Sequence, residues 1–390
     1  MLSKVLAVVG CAVIIGLAYL MSKEKHNINW RSVAIAFIGQ FLLSFLLIKT
    51  PLWKVVEYMS NGVTWLLAQA NEGINFVFGG VSDEYVFFIN ALLPVVFISA
   101  LMGILFHYGI LQKIITSVSR VVAKWLQVDA LVSVNGIANM FLGQSDSLFV
   151  TKSYLPNAKD SVIFATLVGG MTSISASVIG LYASMGASIT WILVSLPLSV
   201  ISTFALTQIV MPTEYDESSL IKVENDKGVN MFDTMMNYAN SGFKSVVGIT
   251  VALIVFLSLV SMINNFIGLI LPSVSLERIV GYVFMPFSFL MGVPTEEIGA
   301  MSQILATKLI TNETVAFGLP QFAELSENSR AMATMVLCSF ANISSIGILI
   351  GGYSAIAPDK VKVVAKIGVR ALIVATLVPI MSAMVIGLFL

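Results

Sequence analysis

Two carboxylates stand in apolar surroundings. Asp146 closes the run Gly143-Gln144-Ser145-Asp146, and Glu313 follows Asn312 in a stretch that also carries Thr307 and Lys308. At membrane depth an ionisable group costs at least about 2.5–3.5 kcal/mol on insertion scales, so it normally faces a partner or a watered pocket. Each also has a local role open to it, either capping a short helix or, for Glu313, pairing with Lys308. Two dense polar clusters follow them in the chain. One is Thr172, Ser173, Ser175 and Ser177; the other is Ser339, Asn342, Ser344 and Ser345. Where a helix unwinds, its freed carbonyls and nearby Ser or Asn oxygens can replace the water shell of a sodium ion, while half-helix N-termini face anionic or polar groups. The chemistry within reach of this set is recognition of a polar solute and a cation. Bond-making chemistry lacks its parts: His26 and His107 fall at span ends, and Cys11 and Cys338 lie far apart in apolar stretches. No nucleophile with a base, zinc spacing or disulfide framework is therefore legible.

The elements that must hold these residues follow from composition. The chain has 390 residues, 57% of them hydrophobic and 11% charged. That excludes a soluble enzyme, in which about a quarter of residues are charged. With 21 basic and 21 acidic residues the net charge is zero, which leaves no basic surplus for a nucleic-acid partner. Eight apolar runs approach the roughly 20 residues that cross a bilayer core: 5–20, 33–48, 87–106, 162–184, 191–211, 246–271, 331–350 and 371–390. The first lacks a small-residue cleavage site and is followed by Lys23 and Lys25, so it reads as a retained span. With the N-terminus outside, fifteen of the 21 Lys and Arg fall in inside segments and five outside, with Lys308 in a stretch placed within the membrane. This is the expected bias of cytoplasmic loops, and it puts both termini outside a cell membrane.

The segments between spans are not ordinary loops. Residues 111–127 read as an amphipathic helix along the inner interface, with Lys113, Arg120 and Lys124 on its polar side. Residues 129–154 begin and end near inside charges, are mostly apolar, and carry Gly136, Gly143, Gln144, Ser145 and Asp146 in the middle. That describes a re-entrant hairpin, whose irregular tip is tolerated only where protein or water surrounds it. Residues 295–319 have the same character approached from outside, and Glu296 and Glu297, just after Gly292-Val293-Pro294, open that stretch as helix-start residues. Between 213 and 238 the sequence turns polar and acidic, with Glu214, Asp216, Glu217, Glu224 and Asp226.

These parts repeat. A shift of 169 residues carries Gln144 onto Glu313 and Ser173 onto Asn342. One hairpin enters from inside and the other from outside, so the repeat is inverted, the architecture of many secondary transporters with their sites at the repeat interface. The expected organisation is 1–90 as N-terminal scaffold helices, 91–211 as the first repeat, 212–245 as a cytoplasmic linker and 246–390 as the second repeat. The fold class is all-α and polytopic, with eight transmembrane helices, two re-entrant hairpins and interfacial helices.

In order and on matching elements, the motifs resemble those of the concentrative nucleoside transporter family over nearly the whole chain. Gly143-Gln144-Ser145-Asp146 stands where the family usually has Gly-Gln-Thr/Ser-Glu. Gly292-Val293-Pro294, Thr307-Lys308, Asn312-Glu313-Thr314-Val315-Ala316-Phe317 and Phe340-Ala341-Asn342-Ile343-Ser344-Ser345-Ile346 match in turn. The resemblance implies a homotrimer in the inner or plasma membrane that carries a nucleoside inward with a cation, each protomer having a scaffold and a mobile transport part. Carried over residue by residue, it implies that Gln144 and Asp146 contact the nucleobase, that Val178 and Phe340 line the pocket, and that Glu313, Asn342 and Ser345 hold the ribose hydroxyls. It likewise implies a sodium site at Asn139, Leu142, Ser145, Ser173 and Ile174, with Leu142 and Ile174 acting through backbone carbonyls. No further cofactor is expected. Asp146 replaces the usual Glu and is one methylene shorter, and Ser147-Leu148-Phe149 lacks an Ala-Pro often found there. Base preference thus stays open, since a shorter arm leaves room for a larger base or a bridging water. Family members divide between sodium and proton coupling, and the full set of oxygen positions favours sodium. The alternatives are a proton symporter using Asp146 or Glu313, and a hairpin-bearing membrane protein with a gating or structural role.

Overall fold

The computed structural model describes residues 2–80, 85–215, 223, 228–272 and 274–390. Among these, every regular element is a helix. The acidic residues Asp216, Glu217, Glu224 and Asp226 and the basic residues Lys222 and Lys227 lie outside the described residues.

The N-terminal part holds α1 (Leu2–Met21), α2 (Trp30–Lys49) and α3 (Leu52–Phe78). Next come α4 (Pro94–His107), α5 (Ile110–Leu126) and the helix pair α6 (Ala130–Leu142) and α7 (Asp146–Val150). They are followed by α8 (Asp160–Met171), α9 (Ile179–Ser184) and α10 (Ile189–Val210). The second half has α11 (Met231–Ile270), α12 (Leu276–Leu290), and a second helix pair, α13 (Ile298–Ile310) and α14 (Glu313–Phe317). It ends with α15 (Pro320–Glu324), α16 (Glu327–Leu337), α17 (Ile343–Ile356) and α18 (Val361–Gly387). The offset of 169 maps α6 onto 299–311, against α13 at 298–310, and the break at 172–175 onto 341–344, against the break at 338–342.

Seven segments among the described residues are long and apolar enough to cross a membrane: Leu2–Met21, Trp30–Lys49, Phe88–His107, Asp160–Ser184, Ile189–Val210, Met231–Ile270 and Pro358–Gly387. The eighth expected span, 331–350, is two helices, α16 and α17, each too short to cross alone. The cause is local: Asn342 takes an extended backbone and caps α17 with its own side chain, so the chain restarts a helix there. Two further differences concern length. α11 begins at Met231, so 231–245 is helix although the composition of 212–245 reads as linker; Asn230 caps it by accepting from the Asp233 N–H at 2.9 Å. α3 is a 27-residue helix outside the eight expected spans, and only Val56 and Ala70 in it are buried.

The core lies at the α8–α9 segment, α10 and α18. Of the most apolar stretch of Asp160–Ser184, 89% is buried, against 11% for α11, which turns most of its apolar surface outward. Buried hydroxyls and amides join the core helices, as expected where burial of apolar area gives little net drive between membrane helices. Gln40 donates to Ser382 Oγ at 3.2 Å, and that hydroxyl lies 2.8 Å from Ser202 Oγ, tying α2, α10 and α18. Thr166 Oγ1 meets the Tyr353 hydroxyl at 2.6 Å across α8 and α17. α5 is amphipathic as its sequence implies: Leu111, Ile115, Ser119 and Ala123 are buried, and Lys113, Arg120 and Lys124 are exposed. It also exposes an apolar edge, Ile114, Val118, Val121 and Trp125.

Candidate solute and cation site

Four broken elements bring their ends together. At the end of α6 the chain turns through Gly143 at φ +92°, where a side chain would also meet Ser175 Cβ at 3.1 Å. Glycine alone takes that turn without strain, and it sets Gln144, Ser145 and Asp146 at the start of α7. In the matching pair, Asn312 caps α14 by accepting from the Val315 N–H at 2.9 Å, which fixes Glu313 in the first turn. The break after α8 delivers Ser175, Ser177 and Val178, and the break after α16 delivers Phe340, Asn342 and Ser345.

These ends enclose one wall of a cavity of about 520 Å³. All seven residues expected to hold solute line it: Gln144, Asp146, Val178, Glu313, Phe340, Asn342 and Ser345. Leu142 and Ser145 of the expected cation set line it as well, whereas Asn139, Ser173 and Ile174 lie behind the wall and are fully buried.

Glu313 is held from two sides. Its Oε1 accepts from the Tyr182 hydroxyl at 3.0 Å and its Oε2 from Asn342 Nδ2 at 3.2 Å. Lys308, a candidate partner from the sequence, donates instead to Ser339 Oγ at 2.5 Å. A carboxylate offers about four lone-pair directions, so two remain for hydroxyl donors in the cavity. Asn342 cannot swing away, because its Oδ1 accepts from the Ser345 N–H at 3.0 Å, Ser345 Oγ at 3.1 Å and Ser344 Oγ at 2.7 Å. Asp146 is exposed to the cavity, and the Gln144 side-chain oxygen is buried without a partner. An unpaired buried acceptor is expensive, so this oxygen is poised for a donor that enters the cavity.

Behind the wall, Asn139 Nδ2 donates to the carbonyls of Gly169 at 2.8 Å and Gly170 at 3.2 Å, while its Oδ1 is buried with no partner. Ser173 Oγ donates to the Ile174 carbonyl at 3.3 Å. Among the described residues, no group of three or more His, Cys, Asp or Glu could hold a metal ion. Neutral oxygens such as these suit a hard monovalent cation, and the orphaned Asn139 oxygen fits that use.

Several lining residues carry no signal in the motifs. Tyr182 is buried, stacks on Phe317 at 4.8 Å between ring centroids, and orients Glu313. The opposite wall comes from α4 and α11 through Ser99, Met102, Tyr238, Ser241, Gly242, Ser245, Gly248, Ile249, Ala252 and Phe256. The signal in α11 is a stripe of small residues at helical spacing, with Ser241, Ser245, Gly248 and Ala252 on one face. Gly242 packs so closely on α4 that a side chain would meet Ser99 Oγ at 2.5 Å. Of the two acids that open α13, Glu297 also reaches across to α16, accepting from the Ser326 N–H at 2.9 Å and its hydroxyl at 3.0 Å.

A chain whose described residues are all-helical, with seven apolar segments of membrane length and a cavity lined by polar groups where broken helices meet, is a multi-pass membrane protein with a solute-sized interior site. Family models for Na+ dependent nucleoside transporters match residues 9–81 (N-terminus) and 191–387 (C-terminus), and a nucleoside recognition model matches 88–189. The chain belongs to the concentrative nucleoside transporter family. It is 29% identical to the nucleoside permease NupC of Helicobacter pylori, over 100% of this chain and 98% of that protein. Among solved structures it is similar to CNTnw in an inward-facing substrate-bound state, with TM-score 0.93, 30% identity, and 99% and 98% of the two chains covered. It is equally similar to a variant of CNTnw in an outward-facing state, with TM-score 0.93, 29% identity, and coverage of 100% and 99%. The relatives are transporters and permeases, not enzymes.

Proposed function

We propose that this protein imports nucleosides by sodium symport, alternating between outward-facing and inward-facing states. The observation that carries the reading is Glu313, fixed by Tyr182 and Asn342 with free lone pairs toward a 520 Å³ cavity. That arrangement suits the adjacent hydroxyls of a ribose, with Ser345 beside it. Gln144 and Asp146 face the base, and Val178 and Phe340 give it apolar surface. Asn139, Ser145 and Ser173, with the carbonyls of Leu142 and Ile174, hold the sodium ion, which travels as cargo with the nucleoside. The family description of Na+ dependence and the unpartnered Asn139 oxygen both favour sodium over the proton.

In this reading the two helix pairs are re-entrant hairpins. With the spans that follow them they form a part that moves, elevator-fashion, past α4 and α11. The small stripe of α11 and the close α4–α11 seam make that wall a smooth, rigid surface. α5 lies along the inner face, its exposed apolar edge in lipid and its basic residues at the headgroups. The protein sits in the cell membrane as a homotrimer with both termini outside, and α11's outward apolar surface is available to lipid or to neighbouring copies.

The deciding experiment is uptake of a purine and a pyrimidine nucleoside into proteoliposomes at constant pH, with and without a sodium gradient. Accumulation driven by sodium is expected. Accumulation driven only by a proton gradient would reassign the ion, and no accumulation of either nucleoside would remove the reading.

A further inference from the structure

The two repeats carry different chemistry at two matched pairs of positions that touch each other. The offset of 169 carries Asn139 of α6 onto Lys308 of α13, and Gly170 at the end of α8 onto Ser339 in the break after α16. Each pair is joined by a hydrogen bond. Asn139 Nδ2 donates to the Gly170 carbonyl at 3.2 Å, and Lys308 Nζ donates to Ser339 Oγ at 2.5 Å. Both bonds tie the first helix of a helix pair to the interrupted span that follows it. What they hold differs. Asn139 turns an unpartnered oxygen into its surroundings, whereas Lys308 brings a basic group that is only 2% exposed.

A buried ammonium is costly unless nearby groups offset it. Lys308 has the Ser339 hydroxyl as its acceptor, and Glu313 stands five residues on in the same helix pair. Ser339 sits in the same break from which Asn342 reaches Glu313. We propose that the Lys308 ammonium is the built-in cation of the second repeat, standing where the first repeat binds its sodium ion. This rests on the sodium reading of Asn139. The second helix pair is then held to its break at all times by a covalently attached charge, and the first only while sodium is bound. Ion dependence therefore enters through the first repeat alone. Lys308 is a positioning residue, acting on solute through the 338–342 break and Glu313.

Reciprocal exchange tests it on the full-length protein in detergent. The thermal midpoint is measured against sodium chloride, with choline chloride holding ionic strength, and uridine and adenosine binding is measured by calorimetry. The wild type should show one saturating sodium phase. N139K should lose that phase and bind nucleoside without sodium. K308N should gain a second sodium phase, with nucleoside affinity at low sodium reduced roughly tenfold or more, the scale for losing one hydrogen bond made by a charged group, and restored as sodium rises. K308R should behave as wild type. K308N with wild-type affinity and a single phase would overturn the proposal alone, whereas a wild type with no sodium phase would overturn the sodium reading on which it rests. If K308N does not fold, N139K decides, and a folded N139K that still requires sodium would overturn the proposal.

Discussion

Replacing Glu313 by Gln changes one atom and no shape, so the consequence follows from hydrogen-bond accounting. The wild-type carboxylate accepts from Tyr182 at Oε1 and from Asn342 Nδ2 at Oε2. Gln keeps a single oxygen. If that oxygen stays with Tyr182, the new NH2 faces the Asn342 NH2, donor against donor; if it turns, the Tyr182 hydroxyl loses its acceptor. Neither orientation leaves the two remaining acceptor directions that nucleoside hydroxyls would use. A hydrogen bond to a charged group contributes about 1.5–3 kcal/mol. Gln leaves one of the two free acceptor directions and removes the charge from it, so at least one such bond is lost, about 1.5–3 kcal/mol or roughly a 10- to 10²-fold loss of affinity. The folded protein should survive, because removing a buried charge relieves desolvation. The assay pairs labelled nucleoside uptake into proteoliposomes with the thermal midpoint of the same preparation. An E313Q protein with a normal midpoint that transports within about threefold of wild type, a difference worth well under 1 kcal/mol, would refute the reasoning.

Y182F leaves Oε1 without its ordering donor but keeps the ring stacked on Phe317. Nucleoside Kd by calorimetry should rise about tenfold or more, the worth of one hydrogen bond to a charged group, with the thermal midpoint little changed. D146E restores the longer arm usual in the family; uptake competition between a purine and a pyrimidine should then shift toward the smaller base, and an unchanged ratio would show that residue 146 does not reach the base. G242L drives a side chain into Ser99 and toward the Val95 carbonyl, 3.2 Å from the ideal Cβ. Overpacking of this kind costs about 1–3 kcal/mol, read as a lower thermal midpoint, and a midpoint equal to wild type would mean that the α4–α11 seam is loose.

How much of this was legible in the sequence depends on what each signal requires. Asp146, Glu313 and the Ser-rich clusters stand out because polar groups in apolar runs are conspicuous, and the offset of 169 pairs Gln144 with Glu313 and Ser173 with Asn342 without any structure. The breaks at 172–175 and 338–342 follow from the same clusters, since Ser and Asn offer the backbone an alternative to helix. The span at 331–350 reads as continuous by hydropathy because Ala341, Ile343 and Ile346 keep the average high across the break, and the cap at Asn342 fixes where the second helix restarts. α3 has only two buried positions, Val56 and Ala70, so no core-facing stripe marks it in the sequence.

The wall contributed by α4 and α11 was the least legible part, and the reason is physical. Function there asks for smallness instead of a donor or acceptor. Ser241, Gly242, Ser245, Gly248 and Ala252 line the cavity by what they leave out, and in an apolar helix such residues look like ordinary helix-packing positions. Tyr182 is hidden for the opposite reason: an aromatic in an apolar span is ordinary, and its role appears only when its hydroxyl meets Glu313 across 131 residues of chain. Sequence reading therefore finds the polar groups that line the cavity. The groups that orient them, and the surface they face, require the fold. The asymmetry between Asn139 and Lys308 needs both, since the offset matches the positions and the two hydrogen bonds show that the matched positions do the same mechanical task with different chemistry.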